Sequence, residues 1–252
     1  MTVVSKIYEF SARDGMKITG DYTFHEGQKK EKIMLIFPGM TAVTYLYVYV
    51  ALRDELVEKG WDVFIVNAYS SEKVGESFPR SLSEITMKRH VEDFEDIVAH
   101  FKEKYSNVYA SGHSIGGRIL IFANNKSLSG QVLLDPSGDT SNEAYAELRQ
   151  QCYKYSGSLN CKYMDWGDGV FYPIGGIFEE LDCCPFSIVS KLVERLSVPT
   201  LFVAAGAVDY AKVYQKHINN ICKYVEIEGA GHDFIEFGAV KKIAGKTLKF
   251  FS

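Results

Sequence analysis

Short, continuously apolar segments recur along the chain and alternate with segments that carry apolar residues at helical spacing. The strand-like segments are KIMLIFPG, WDVFIV, NVYAS, QVLLD, PTLFVAAG and KYVEIEG. Unbroken Val, Ile, Leu and Phe runs are typical of parallel strands whose sheet is covered by helices on both faces. Between the strands, helical spacing is clear over residues 48–56 and 87–101. The pattern predicts one α/β domain over residues 1–252, built on a mainly parallel sheet.

Two segments depart from this alternation. Residues 6–10 and 16–24 read as strands joined by Arg13-Asp14-Gly15, which is a hairpin turn, so the sheet should begin with an antiparallel edge. Residues 136–195 lie between two strands and are too long for a simple crossover. They are rich in Tyr, Gly and Cys, and we expect a small cap that covers the carboxyl ends of the strands.

Composition excludes several classes of partner. The net charge is −4 and there is no block of basic residues, which argues against nucleic acid and anionic membranes. No apolar run approaches the roughly 18 residues of a membrane span, and the N-terminus lacks the features of a signal peptide, so we expect a cytoplasmic protein. Nothing calls for a metal or an organic cofactor. The cysteines, an odd number without a C-x-x-C pair, are interpreted as reduced thiols: Cys152, Cys161, Cys183, Cys184 and Cys222.

A serine flanked by glycines stands where a strand turns into a helix. In NVYASGHSIGGRILIFA, residues 107–123, Ser114 follows a short apolar run and immediately precedes a helical pattern. Ligands of parallel α/β sheets bind at the carboxyl ends of the strands, and such a turn exposes the serine there. We predict that Ser114 is a nucleophile. The alternative is a glycine-rich turn with an incidental serine, because G-x-S-x-G also occurs by chance.

A serine hydroxyl needs a base to remove its proton, and histidine is the usual one. Of six histidines, His232 follows the last strand, in the segment EIEGAGHDFIEF, after three small residues. Its loop should lie at the same sheet edge as Ser114. His232 is therefore the predicted general base, with a histidine of an ordinary surface loop as the alternative.

The histidine in turn needs a carboxylate that fixes its tautomer and stabilises the imidazolium. Asp209 ends the segment LFVAAGAVD, and the small residues before it could bring the side chain to the last loop. Asp135 ends the preceding strand, QVLLD, at the same edge. We predict Asp209 as the acid and keep Asp135 as the alternative, since Asp before Pro commonly starts a turn.

Two N–H groups should stabilise the oxyanion of an acyl-transfer intermediate. Ile115, directly after the nucleophile, supplies one. The second should come from the loop after the third strand, Pro38-Gly39-Met40. Since Pro38 has no N–H, Met40 is the predicted donor.

These features resemble the α/β-hydrolase superfamily: the strand order, the GHSIGG motif, the loop at Met40, and the chain order Ser114, Asp209, His232. The resemblance covers nearly the whole chain. It implies an eight-stranded sheet with a cap inserted after the sixth strand. The chain is most similar to small esterases, monoacylglycerol lipases and acyl thioesterases. Many esterases of this group have His-Gly where this chain has Phe37-Pro38, and acyl-carrier-protein thioesterases often have Phe-Pro there.

The resemblance implies a serine esterase that cleaves a small to medium lipophilic ester. Tyr45, Trp166 and Tyr172 are the candidate substrate-binding residues, although aromatics at such positions more often pack a cap onto its core. Thioester hydrolysis or acyl transfer would use the same triad. A ligand-binding protein that kept only the fold is an alternative of another class. The partner is thus a small molecule, and a homodimer is left open.

Overall fold

A computed structural model describes residues 2–39, 46–67, 86–138, 153–157, 161–165, 171–173 and 184–252. Within these ranges the strands are β1 (Val3–Ser11), β2 (Lys17–His25), β3 (Lys32–Phe37), β4 (Asp62–Val66), β5 (Asn107–His113), β6 (Gly130–Leu134), β7 (Tyr153–Ser156), β8 (Cys161–Asp165), β9 (Phe171–Pro173), β10 (Thr200–Ala205) and β11 (Cys222–Ile227). The α-helices are α1 (Tyr47–Glu58), α2 (Met87–Lys102), α3 (Ile115–Ala123), α4 (Phe186–Glu194) and α5 (Ala239–Phe250), and a short 3₁₀ helix spans Lys212–His217. In the described part of the chain, no helix combines the length and apolarity that crossing a membrane requires.

Eight of the strands form one sheet in the order β1-β2-β4-β3-β5-β6-β10-β11. The first two pair antiparallel, as does β2 with β4, and every other neighbouring pair is parallel. The predicted mainly parallel sheet with an antiparallel edge is therefore confirmed. The six parallel strands (β3, β4, β5, β6, β10 and β11) end at one edge, and the loops after five of them, all but β4, carry the candidate site residues.

Helices cover both faces of the sheet, because its central strands are apolar on both sides. On β3, Ile33, Leu35 and Phe37 face one core with residues of α2, α3 and α4. Met34 and Ile36 face the other, which includes residues of α1 and α5. All five of these β3 side chains are at most 1% exposed. Such complete burial on both faces explains why the strand reads as an unbroken apolar run.

The segment predicted as a cap contains a second sheet. Its strands β7, β8 and β9 are consecutive and antiparallel, as expected for a small meander inserted between β6 and β10. Much of residues 136–195 lies outside the described ranges. That this segment covers the strand ends remains a prediction.

A buried arginine joins two distant points of this segment. Arg118 lies on α3, one turn after Ser114, and its side chain is fully buried. Its guanidinium donates to the carbonyl oxygens of Gly138, at 3.3 Å, and Cys184, at 3.0 Å. Gly138 lies near the start of the segment and Cys184 just before α4, so one rigid donor fork holds two distant points of the segment against the helix that follows Ser114.

At the opposite, amino edge of the sheet, a buried carboxylate connects four segments. Asp62, only 5% exposed, begins β4. It accepts hydrogen bonds from Lys30 Nζ at 2.7 Å, from the His25 backbone N–H at 2.8 Å and from the Tyr105 hydroxyl. Burial by itself raises the pKa of Asp62, but these donors together outweigh it and hold the pKa below its ordinary value.

This lowered pKa predicts a pH-dependent contribution to stability. Because the folded-state pKa lies below the unfolded value, the contribution is complete above about pH 4 and is lost as pH falls through the folded-state pKa. Asp62→Asn should reduce the free energy of unfolding by about 3 kcal/mol at pH 7. Urea unfolding followed by circular dichroism should show this difference at pH 5 and its decline below about pH 4.

The matched control is Asp54→Asn on α1, whose side chain is 62% exposed and pairs only with its neighbour Arg53 among the described residues. That change should alter stability by less than about 0.5 kcal/mol at either pH. An equal loss in both variants would contradict the role assigned to the Asp62 network.

Candidate active site

The chain turns sharply at Ser114, between the end of β5 and the start of α3. Its backbone has φ 53° and ψ −118°, which is unusual for a residue other than glycine. The flanking residues must be glycines because other backbone atoms pack directly against them. A Cβ at Gly116 would lie 2.4 Å from the Phe37 carbonyl oxygen, and one at Gly112 would lie 2.5 Å from the Gly116 carbonyl carbon. The Ser114 side chain remains partly exposed at the strand edge, and such strain is typical of functional positions.

His232 is held by a buried carboxylate. Its Nδ1 lies 2.6 Å from Oδ2 of Asp135, the residue that follows β6. Asp135 is fully buried, and its other oxygen accepts the backbone N–H groups of Ala205 and Ala211, each at 3.3 Å. Because an ionised carboxylate only accepts, the proton of neutral His232 lies on Nδ1, and Nε2 keeps its lone pair.

The contact with His232 that was predicted for Asp209 is made by Asp135, the alternative acid, and this is a correction. The Asp209 side chain is 86% exposed and pairs with Lys212 at 2.9 Å. The physical reason is the course of the loop after β10, which curls around the Asp135 carboxylate and presents N–H groups to it at both ends. This curl turns Asp209 to solvent and places the Tyr210 ring against His232 instead, with ring centroids 4.8 Å apart.

Of the two predicted oxyanion donors, the structure describes Ile115 and not Met40. Ile115 begins α3, so its N–H has no acceptor within the helix and lies at the positive end of the helix dipole. Met40 is outside the described residues. The N–H of Gly39, just before it, donates to the Tyr49 hydroxyl at 2.7 Å and is therefore already used.

A second serine, which sequence reasoning missed, contacts the first. Ser137 Oγ lies 3.4 Å from Ser114 Oγ, and its backbone N–H donates to the Ser114 carbonyl at 3.1 Å. The Tyr214 hydroxyl in turn donates to the Ser137 carbonyl. The available signal was position alone, because Ser137 follows β6 by three residues and so lies at the same edge.

His113, the residue before Ser114, is buried and lies between two of these elements. Its Nδ1 is 2.8 Å from the Tyr49 hydroxyl and its Nε2 is 2.9 Å from the His232 carbonyl oxygen. The ring centroids of His113 and His232 are 4.8 Å apart. Burial, and next the nearby His232, lower the pKa of His113 to about 4. His113 is thus neutral at physiological pH.

The site also contains a group of side chains that could approach a metal. One ligand atom each from His113, His232 and Asp233 lie within 4.8 Å of one another. Both ring nitrogens of His113 are hydrogen bonded, so a metal would have to displace the Tyr49 hydroxyl or the His232 carbonyl.

The predicted substrate-binding residues are not tested by the structure. Tyr45 and Trp166 lie outside the described residues. Tyr172 belongs to β9, of which only the backbone is described. Their roles remain predictions.

At the level of sequence, the chain matches no protein-family profile and no curated protein. Solved structures do resemble it over their full length. Est1E from Butyrivibrio proteoclasticus, with ferulic acid bound, superposes with a TM-score of 0.72 at 18% identity, covering 96% of this chain and 97% of that one. DcsB in complex with its substrate analogue has a TM-score of 0.73 at 16% identity, covering 98% and 99%.

The α/β hydrolase GrgF from Penicillium sp. sh18 has a TM-score of 0.72 at 16% identity, and 98% of each chain is covered. Identities this low speak for the fold and not for a shared activity. The chain therefore has the α/β-hydrolase fold. Three observations agree on this: the strand order, the sharp turn at Ser114 and the superpositions over nearly the full length of these chains.

Proposed function

We propose that this protein is a serine hydrolase that cleaves a carboxylic ester of a small to medium lipophilic substrate. The observation that carries the proposal is the 2.6 Å hydrogen bond between His232 Nδ1 and the buried Asp135. It leaves Nε2 of His232 free to act as a base at the sheet edge where Ser114 is exposed. A buried carboxylate, an oriented imidazole and a strained serine are the components that serine catalysis requires, and their presence supports the proposal.

The chemistry proceeds in two half-reactions. His232 Nε2 accepts the proton of Ser114 as Oγ bonds to the ester carbonyl carbon, and the N–H groups of Ile115 and Met40 stabilise the oxyanion. As the tetrahedral intermediate collapses, the C–O bond to the alcohol breaks and His232 protonates the leaving oxygen. A water molecule, deprotonated by His232, then attacks the acyl-enzyme and releases the carboxylic acid and the free serine.

Asp135 has two functions in this cycle. It holds His232 in the tautomer that exposes Nε2, and its negative charge stabilises the imidazolium formed when Ser114 loses its proton. The carboxylate is itself immobilised by the N–H groups of Ala205 and Ala211. It therefore needs no reorganisation when charge develops, which is the condition under which an enclosed charge is most effective.

The substrate class is inferred from the chain's aromatic residues and from its structural neighbours. Tyr45, Trp166 and Tyr172 could form an apolar surface for an acyl or alcohol group. Est1E, with ferulic acid bound, supports including an aromatic acid among the acyl groups tested. Thioesters belong in the same panel, because Phe37-Pro38, where the oxyanion loop begins, resembles the Phe-Pro found in many acyl-carrier-protein thioesterases.

Reaction with a fluorophosphonate tests the nucleophile directly. Intact mass should show one adduct on the wild type and none on Ser114→Ala or His232→Ala, since neither variant has an activated serine. Ser114→Ala should also lose on the order of 10⁶ in kcat on the best ester.

Esters of increasing acyl length, a feruloyl ester and matched thioesters identify the preferred leaving group. No adduct on the folded wild type and no turnover across this panel would favour the ligand-binding alternative. Unchanged turnover by Ser114→Ala would reject the proposed nucleophile.

Substitution of Asp135 and of Asp209 tests which carboxylate is the partner of His232 in catalysis. Asp135→Asn should lower kcat by about 10⁴, because the amide favours the wrong tautomer of His232 and lacks the charge that stabilises the imidazolium. Asp209→Asn is the matched control, and its kcat should stay within about twofold of the wild type because the side chain faces solvent.

Circular dichroism and melting temperature should accompany both variants, since Asp135 is fully buried. A large kcat loss in Asp209→Asn alongside an active Asp135→Asn would overturn the assignment.

A further inference from the structure

A buried tyrosine contacts two loops of the candidate site. Tyr49, on the first turn of α1, is fully buried. Its hydroxyl oxygen lies 2.7 Å from the Gly39 backbone nitrogen and 2.8 Å from His113 Nδ1. A backbone N–H can only donate, so the oxygen is the acceptor toward Gly39. The direction of its bond to His113 Nδ1 follows from the partner of the other ring nitrogen.

The His232 carbonyl determines the tautomer of His113. Its oxygen lies 2.9 Å from Nε2 and can only accept, so Nε2 of neutral His113 carries the ring proton. Nδ1 keeps its lone pair and accepts the phenolic proton of Tyr49. The chain of three hydrogen bonds thus runs in one direction, from the Gly39 N–H through Tyr49 and His113 to the His232 carbonyl. The other neutral tautomer would leave the bond to the His232 carbonyl unmade, and a protonated His113 would leave the phenolic proton without this acceptor.

The three bonds connect the loops that carry the reaction. Gly39 is followed by Met40, His113 is followed by Ser114, and His232 contributes its own backbone carbonyl. These loops follow β3, β5 and β11, and β11 is separated from β5 in the sheet by two strands. Packing at the Gly39 end is close, because a Cβ there would lie 3.1 Å from His113 Nδ1. A small shift of either side chain must therefore move the neighbouring backbone.

We propose that Tyr49 and His113 are positioning residues that hold the Gly39 loop and the His232 loop in their working places relative to Ser114. The inference rests on the proposed hydrolase function, since it assigns these residues to the alignment of that site. Neither side chain forms a bond to the substrate or exchanges a proton with it in this scheme. Their effect is transmitted through the backbone of the oxyanion loop and of the general base, where displacements of about 1 Å are costly to the rate.

A purely structural role would predict different behaviour. Buried polar side chains are normally hydrogen bonded, and losing one partner lowers stability wherever it occurs in the fold. A positioning role instead predicts a selective loss of transition-state stabilisation in molecules that are still folded. Tyr49→Phe removes only the hydroxyl and keeps the ring, which makes it the variant of choice.

Tyr49→Phe should lower kcat by about 10- to 100-fold while KM changes less than about threefold. The reason is that displaced oxyanion donors and a displaced base weaken binding of the transition state more than binding of the substrate. Affinity for an alkyl trifluoromethyl ketone, which forms an oxyanion on the serine, should fall in parallel with kcat/KM. Affinity for the product acid should stay within about threefold.

The matched control is Tyr109→Phe, a tyrosine on β5 that is 7% exposed and packs against Trp61 and Phe251 away from the site loops. Its kcat should remain within about twofold of the wild type even if its melting temperature falls. Wild-type reaction with the fluorophosphonate is measured first. An adduct together with wild-type kcat in folded Tyr49→Phe would overturn the positioning role and leave the hydrolase proposal standing, whereas absence of an adduct speaks against the hydrolase itself.

The tautomer is tested without any activity, in wild-type protein labelled with ¹⁵N-histidine. The resonances of His113, assigned with His113→Gln, should show a protonated Nε2 and an unprotonated Nδ1 that stay unchanged from pH 6 to 8. In Tyr49→Phe, the ¹⁵N resonance of His113 Nδ1 should shift, because this nitrogen loses its hydrogen-bond donor. A charged His113 or a proton on Nδ1 at pH 7 would overturn the inferred chain of hydrogen bonds. Should Tyr49→Phe fail to fold, this measurement on the wild type still decides the tautomer.

Discussion

The hydrogen bond between the buried Asp135 carboxylate and His232 is the interaction on which the arrangement of the site depends. A carboxylate with no solvent exposure must be compensated by donors, because burial of an unpaired charge is prohibitively costly. Here the donors are His232 and the N–H groups of Ala205 and Ala211. Satisfying one charge thus determines both the course of the loop after β10 and the orientation of the last loop.

The turn at Ser114 adds a steric constraint to this electrostatic one. The positive φ of the serine is tolerated because the surrounding backbone determines it: the Ser114 N–H donates to Leu134 at 3.0 Å, and its carbonyl accepts from Ser137 at 3.1 Å. Gly116 lets the helix start against the Phe37 carbonyl. The turn is therefore held from β3 on one side and from the β6 loop on the other, and the same β6 loop begins with Asp135.

Periodicity was sufficient to predict the sheet, because buried parallel strands must be apolar on both faces and helices must be apolar on one. It was also sufficient to bring Ser114 and His232 to one edge, since the ends of parallel strands meet there. It could not choose between Asp135 and Asp209, which follow neighbouring strands of the same sheet. That choice depends on how a six-residue loop curls, and Asp135 itself directs the curl. The hydrogen bonds of Tyr49 could not be predicted for a similar reason. A tyrosine on the apolar face of a helix is explained by packing alone, and the sequence does not show which polar groups its hydroxyl will meet.

The site also requires that two adjacent histidines behave differently. The rings of His113 and His232 are 4.8 Å apart, so two positive charges there would repel by about 3 kcal/mol at an effective dielectric constant near 20. Burial keeps the pKa of His113 at about 4, and its neutral form, with the proton on Nε2, accepts from the Tyr49 hydroxyl and donates to the His232 carbonyl. A neutral His113 leaves His232 free to take up a proton beside Asp135 without an opposing charge. The same burial that makes His113 a rigid spacer between two loops thus removes the electrostatic penalty of placing it next to the general base.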